Sequence, residues 1–412
     1  MATIKPFAAL RPAKELAAQV AALPYDVYSR QEAAEAVKGH PYSFLNIDRP
    51  ETQFPAGYDM YAPEVYRKAA ELLSTQIRAG VYVRESAPCY YVYALTGNGR
   101  TQTGLAACSL VDDYDNGVIR RHENTRAEKE ADRIRHVEAC GAQTGPVFLA
   151  YRKNEKVSRI LEEQKNHGPL YDFTAEDGVR HQVWRISDPE IMCMLTDFFA
   201  EIPHTYIADG HHRAASAAAV CRKYCREHPK APGDAEFRYF LSVLFSEEEL
   251  SIMDYNRVVR DLNGNTPEEF LGKLSRIFSV TAEDQAVRPQ KKGEIGLYLN
   301  DSWYRLELRP ERAESDPVER LDTAMLQREV LSPILGIRDP KTDSRIDFVG
   351  GIRGLGELER RCHKDCAAAF AMYPTSMGEL FAVADAGKLM PPKSTWFEPK
   401  LRSGLLIHGI RL

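Results

Sequence analysis

Residues 205–220, TYIADGHHRAASAAAV, constrain the fold more than any other stretch of the chain. An apolar run ends in an aspartate and a glycine, and two histidines and an arginine then open a segment of strong helix formers. The pattern predicts a buried strand, a tight turn at Gly210 and a helix that starts at its polar end. Such a junction needs a sheet for the strand and a helical layer beside it. Other segments repeat the alternation. Residues 13–23, 62–80 and 189–202 carry apolar side chains at helical spacing. CYYVYAL, the GNG turn at 97–99 and TQTGLAACSLV read as a hairpin, and VWRI, YFLSVLF, GLYLN and WYRLELR as further strands. The expected class is α/β with mixed, partly antiparallel sheets.

At 412 residues the chain is expected to form two units, drawn at 1–255 and 256–412. Two Pro- and Gly-containing or polar stretches, 49–64 and 309–320, read as surface seams. With 44% hydrophobic and 27% charged residues there is ample core material. A net charge of −5 argues against broad binding to nucleic acid or to an anionic membrane. No apolar run of about eighteen residues appears, and the N-terminal residues lack a signal-peptide core, so a cytoplasmic protein is expected. The eight cysteines are scattered or paired at i,i+4, a pattern of reduced structural thiols rather than of a disulfide framework. A homo-oligomer stays open.

Three stretches carry chemistry. At the first, a helix N-terminus presents unpaired N–H groups and a partial positive charge that attract phosphate. His211, His212 and Arg213 add donors there, and the arginine can grip phosphate oxygens as a planar fork. Asp209 would repel a phosphate unless it holds Mg²⁺ or takes a proton from a nucleophile. The plainer reading makes Asp209 the N-cap of an ordinary helix. The second stretch places Arg120, Arg121, His122, Glu123, Thr125 and Arg126 within seven positions. Glu123 suits a general base or a Mg²⁺ ligand, or else a structural carboxylate paired with arginine. EKEADRIRH, which follows, reads as a solvated helix face. In the third, MPPKSTWFEPKLRSGLLIH, two prolines stiffen the approach to Lys393, Ser394 and Thr395, whose ammonium and hydroxyls suit a polyphosphate. No Walker A loop occurs anywhere. GGIRGLGE at 350–357 has the wrong spacing for a dinucleotide fingerprint, and no convincing strand is expected before it. Tyr25, Asp26, Tyr42 and Asn46, polar groups in apolar surroundings, are candidates to line a small-molecule pocket.

FAALRP, LPYDV, HPYSFLNI, RHENT, EKEADRI, TGPVFLAY, YIADGHHRAASA, NRVVRDL and MPPKSTWFEPKLRSGL, in this order from Phe7 to Leu405, resemble the domain-of-unknown-function 1015 family. Some members of that family are ATP-dependent kinases of free L-serine. Its DGHHR element is also similar to the phosphate box of the ParB/sulfiredoxin-like fold. The resemblance implies a ParB/sulfiredoxin-like nucleotide-binding core with large insertions and a second, C-terminal α/β lobe. It implies that Gly210, His211, His212 and Arg213 hold the phosphates of ATP or ADP with Mg²⁺; Lys393, Ser394 and Thr395 match its C-terminal motif, and their chemistry, like that of Arg121 and His122, suits the same phosphates. Asp209 or Glu123 would be the base and the other a Mg²⁺ ligand, with His211 beside them, and Tyr25, Asp26 and Asn46 would face the acceptor. The expected activity is transfer of the γ-phosphate to the hydroxyl of free L-serine or a similar metabolite. A nucleotide-binding regulatory module, or a nucleotidase or phosphatase, is the alternative.

Overall fold

A computed structural model describes residues 1–309 and 316–411; residues 310–315 of the second expected seam lie outside the described residues. Two compact units result, Met1–Leu250 together with Pro399–Leu412, and Ser251–Glu398. The mixed α/β class holds in both.

The first unit is built on a nine-stranded sheet. Its strands are β1 (Ile4–Lys5), β2 (Tyr90–Gly97), β3 (Arg100–Leu110), β4 (Ile119–Arg120), β5 (Val147–Tyr151), β6 (Tyr171–Thr174), β7 (Arg180–Ile186), β8 (Thr205–Asp209) and β9 (Tyr239–Ser246). They lie in the order β4-β8-β5-β9-β3-β2-β7-β6, and β1 pairs with β3. The expected hairpin is β2–β3, closed between Gly97 and Arg100, with Asn98 and Gly99 at φ 52° and 75°. Positive φ at both central residues is what a two-residue turn between twisted strands requires. The β5–β9 and β4–β8 pairs are parallel. Val92, Leu105, Leu149, Ile207 and Leu244 are fully buried in one core cluster. Around the sheet lie the helices α1 (Pro63–Arg78), α2 (Ala127–Cys140) and α3 (His211–Glu227).

Helix α2 departs from the solvated face expected of EKEADRIRH. Asp132, Arg133 and His136 are buried. The charges neutralise one another: Arg133 pairs with Asp132 at 2.9 Å, Tyr66 donates its hydroxyl to Asp132, and the Arg133 guanidinium lies 4.0 Å from the centre of the Tyr25 ring. Periodicity registers charge, whereas burial depends on partners from distant segments. The 49–64 stretch, expected as a seam, lies wholly inside the first unit, and Pro50–Gln53 form a short helical turn.

The second unit carries a six-stranded antiparallel sheet of β10 (Tyr255–Val259), β11 (Phe278–Glu283), β12 (Glu294–Leu299), β13 (Ser302–Leu308), β14 (Ile346–Gly350) and β15 (Ala368–Ala371). Its order is β11-β13-β12-β15-β10-β14. Contrary to expectation, a five-residue strand, β14, does precede the GGIRG loop. It is antiparallel to β10, so this is no βαβ nucleotide unit. Gly296 marks the tightest approach in the sheet: a Cβ there would meet the Val287 carbonyl oxygen at 2.4 Å. Backbone cannot yield as a side chain can, so Gly296→Ala is expected to lower stability by about 1–3 kcal/mol. Urea unfolding followed by circular dichroism checks this, and an unchanged midpoint would refute it.

Candidate functional site

The site grows from the pairing of β4 with β8. Ile119 faces Thr205 and Arg120 faces Tyr206 in a parallel register, so both strands deliver their following residues to the same end of the sheet. His122 and Glu123 leave one strand there, and Gly210–Arg213 leave the other. The rings of His122 and His211 meet edge to face, 4.6 Å apart at 89°. RRHENT and DGHHR, remote in sequence, thus form one cluster.

The turn has a specific construction. Gly210 sits at φ 93° in the helix-capping position, and no side chain caps α3. The plain expectation of Asp209 as an ordinary N-cap is therefore overturned. Asp209 Oδ1 accepts the N–H of Gly210 at 2.8 Å, and its Oδ2 is met by the ammonium of Lys400 at 2.9 Å. Gly210 is needed twice. Its φ is costly for other residues, and a Cβ would lie 3.0–3.2 Å from the guanidinium of Arg213. Arg213 folds back over the turn and donates to the Pro146 carbonyl. The first-turn amides of a helix have no intrahelical acceptor, and here they remain without a side-chain cap. His211 adds a buried Nε2, and His212 a buried Nδ1, that meet no hydrogen-bond partner among the described residues. The junction is a polar cradle whose donors converge beside a carboxylate.

Burial decides the protonation states. It lowers the pKa of His122 to about 4, against the opposing pull of the Ile207 carbonyl and of Asp209. His211 is pushed well below the usual histidine range by burial and by His122. Burial also lowers His212, although Asp26 opposes this. All three are neutral at pH 7, able to donate from one nitrogen and accept at the other. Burial alone would raise Asp209, but Lys400 and Arg213 outweigh it and hold the carboxyl well below its usual range. An ionised carboxylate between two cations is a weak base and a good electrostatic anchor.

Behind the cradle lies a cavity of about 30 Å³ lined in part by Tyr25, Asp48, Arg133, His136, Thr144 and Arg213. Asp48 accepts from the Thr144 hydroxyl at 2.9 Å, and His136 lies across the Ile47 carbonyl at 2.8 Å. Tyr25 lines this cavity, whereas Asp26 is felt at His212. Asn46 is not among the cavity residues. Its amide donates to the carbonyls of His40 and Ser43 and accepts from Gln53, so it closes a local turn. Tyr42 is exposed. Arg121 is exposed, with its guanidinium 5.8 Å from the centre of the Tyr114 ring. Glu123 is half-buried directly after His122. Lys393, Ser394 and Thr395 belong to the second unit. There, Ser394 Oγ lies 3.0 Å from Thr323 Oγ1 and donates to the Pro391 carbonyl.

The residues sequence reasoning missed are Lys400, Asp48, Arg133 and Thr144. Lys400 stands 191 positions from Asp209, and no local pattern announces such a pair. Arg133 was hidden in a charge run that looked solvated. Asp48 and Thr144 are single polar residues, which only tertiary structure brings together.

Among curated proteins none matches this sequence. Several solved structures are remotely similar. A mutant free serine kinase in complex with ADP shares 12% identity over 74% of this chain and 93% of its own, at a TM-score of 0.36. SbnI from Staphylococcus aureus, with a C-terminal truncation, shares 14% over 72% and 85%, at 0.38. A conserved hypothetical protein from Pyrococcus furiosus shares 14% over 73% and 93%, at 0.34. The family described as "Protein of unknown function (DUF1015)" matches residues 4–324. With that match covering most of its length, the chain belongs to the DUF1015 family.

Proposed function

We propose that this protein is a small-molecule kinase that transfers the γ-phosphate of ATP to the hydroxyl of free L-serine or a metabolite like it. The observation that carries this reading is the cradle at Gly210–Arg213. An uncapped helix N-terminus, a guanidinium across the turn and a buried imidazole nitrogen without a partner are all suited to phosphate oxygens. Arg213 and the first-turn amides would hold the nucleotide phosphates, with His211 and His212 donating and Arg121 and His122 flanking them. Lys393, Ser394 and Thr395 are assigned phosphate contacts on their motif. Phosphoryl transfer asks mainly for positioning and charge stabilisation, which such a cradle supplies.

The acceptor is assigned to the cavity. Arg213 suits a carboxylate and Asp48 an ammonium, and the cavity of about 30 Å³ would have to widen to admit a small zwitterion beside the phosphates. Asp209 anchors Lys400 and receives the acceptor proton only once that ion pair opens, while Glu123 is the second candidate base. Among the described residues no cluster of three His, Cys, Asp or Glu side chains is placed to hold a metal. A Mg²⁺ carried by the nucleotide and completed by one carboxylate, Asp209 or Glu123, fits this donor set. That ion would neutralise charge on the phosphates. One observation favours a nucleotide-binding module without turnover: both oxygens of Asp209 are engaged, by Lys400 and the Gly210 amide.

The test is phosphorus NMR of the protein with ATP, Mg²⁺ and a panel of hydroxyl-bearing amino acids. Phosphoserine is expected. A nucleotide-dependent rise in melting temperature with no phosphorylated acceptor would select the binding module instead. Arg213→Ala is expected to lower kcat/KM by about 10²–10³-fold with the fold retained by circular dichroism, and unchanged turnover would reject the cradle.

The buried histidine pair sets a second expectation. Its folded pKa values lie below the unfolded value near 6.5, so the unfolded chain binds protons more readily. Stability is full above about pH 6.5 and falls as the pH drops toward about 4, the His122 value. Melting temperatures recorded from pH 8 to 4 are expected to show that decline, and His122→Asn should flatten it. A variant with the wild-type slope would show that His122 is not buried in its neutral form.

A further inference from the structure

Among the described residues of the second unit, one buried arginine has no carboxylate paired with it. Arg257, on β10, is 3% exposed. Its guanidinium donates to the carbonyls of Tyr255 and of Lys393, the latter at 3.0 Å, and lies 5.5 Å from the centre of the Phe348 ring. These contacts satisfy hydrogen bonds and leave the charge unbalanced. The carboxylate nearest in sequence, Asp254, is engaged elsewhere: Asn256 donates to it at 2.6 Å and Arg288 lies 3.6 Å away. Burial lowers the Arg257 pKa to about 10, so the group remains charged at neutral pH. A buried cation without an anion is costly, because burial removes its solvation and no opposite charge replaces it.

The turn that Arg257 holds carries a second cation. Lys393 adopts φ 59°, a left-handed conformation that a side chain disfavours and glycine accepts readily. An exposed lysine in this position keeps its ammonium at a conformational cost. That ammonium stands 5.5 Å from the centre of the Tyr255 ring. The turn is rigidly supported, because Thr375 donates to the Ser394 carbonyl at 2.9 Å and Ser394 bonds both Pro391 and Thr323. Behind it, Gly350 leaves room for the Trp396 indole, which a Cβ would approach to 3.1 Å.

We propose that the second unit holds an oxyanion site of its own, in which Lys393 bonds a phosphoryl group and Arg257 behind the turn supplies the balancing charge. This goes beyond the phosphate contacts assigned to Lys393–Thr395, since it makes Arg257 the positioning residue and the site complete within one unit. It stands whether or not the cradle at Gly210 takes a nucleotide. The phosphoryl group belongs either to a nucleotide or to a free phosphate species, and the chemistry at Lys393 is the same for both.

The experiment uses the full chain, with melting temperature and calorimetric titration in orthophosphate and in ADP, against chloride at matched ionic strength. Lys393→Gly keeps the left-handed turn and removes the ammonium. It is expected to melt no lower than the parent in chloride and to lose about tenfold or more in orthophosphate affinity, the scale of one charge-assisted contact. Arg257→Met is expected to lose the same phosphate response, and Arg213→Ala to keep it. Should Arg257→Met fail to fold, Lys393→Gly still decides. An ADP response that also falls in Lys393→Gly supports the site with a nucleotide as its source, and one that survives supports it with free phosphate. Parental orthophosphate binding in Lys393→Gly overturns the proposal, as does loss of all phosphate binding in Arg213→Ala. The function proposed above fails separately, through ADP binding that ignores Arg213→Ala.

Discussion

Everything proposed for the first unit depends on four residues in parallel register, Ile119 and Arg120 against Thr205 and Tyr206. A parallel pair sends both chains out at the same end of a sheet, and the loops beyond such ends are where α/β proteins assemble sites. A slip of one residue would turn His122 to the opposite face and dissolve its contact with His211. The pair is short, so its register is enforced from outside. Ile119 and Ile207 are buried in the same core cluster, and β8 is held on its other edge by β5.

The second governing feature is buried charge. In the first unit it is matched internally: Arg133 with Asp132, and Lys400 with Asp209. Removing one partner of such a pair strands the other, which makes these groups intolerant of substitution even where they do no chemistry. In the second unit, Arg257 meets carbonyls and the Phe348 ring but, among the described residues, no carboxylate. Under the oxyanion site proposed for that unit, an unbalanced cation awaits a ligand, whereas a balanced one completes a structure.

Local patterns made the architecture legible. The β2–β3 hairpin, the β8–α3 junction and the longer helices follow from periodicity and turn chemistry, and the DGHHR cradle from the position of its polar residues on a helix terminus. The convergence of RRHENT with DGHHR was implied by family resemblance and is physically explained by strand register. What escaped was non-local. The burial of α2's charged face needed Tyr25, Tyr66 and Asp48 to be brought to it. Lys400 could be seen as part of a basic, Pro-rich segment, but its engagement with Asp209 arises only when the chain's last stretch returns to the first unit. Asn46 looked like a pocket residue because an amide in an apolar run is unusual, and it serves the turn that places Asp48.

That return has a consequence for the order of assembly. Pro399–Leu412 belongs to the first unit, although Ser251–Glu398 must leave the ribosome before it. During synthesis the first unit therefore waits with Asp209 lacking its lysine, while the intervening unit emerges with its own core. Vectorial folding cannot finish the earlier unit first, as it does for domains strung in sequence. The cradle reaches its final charge state only when Lys400 arrives, so a nascent chain carries Asp209–Arg213 in full before it has the cation that pairs with Asp209.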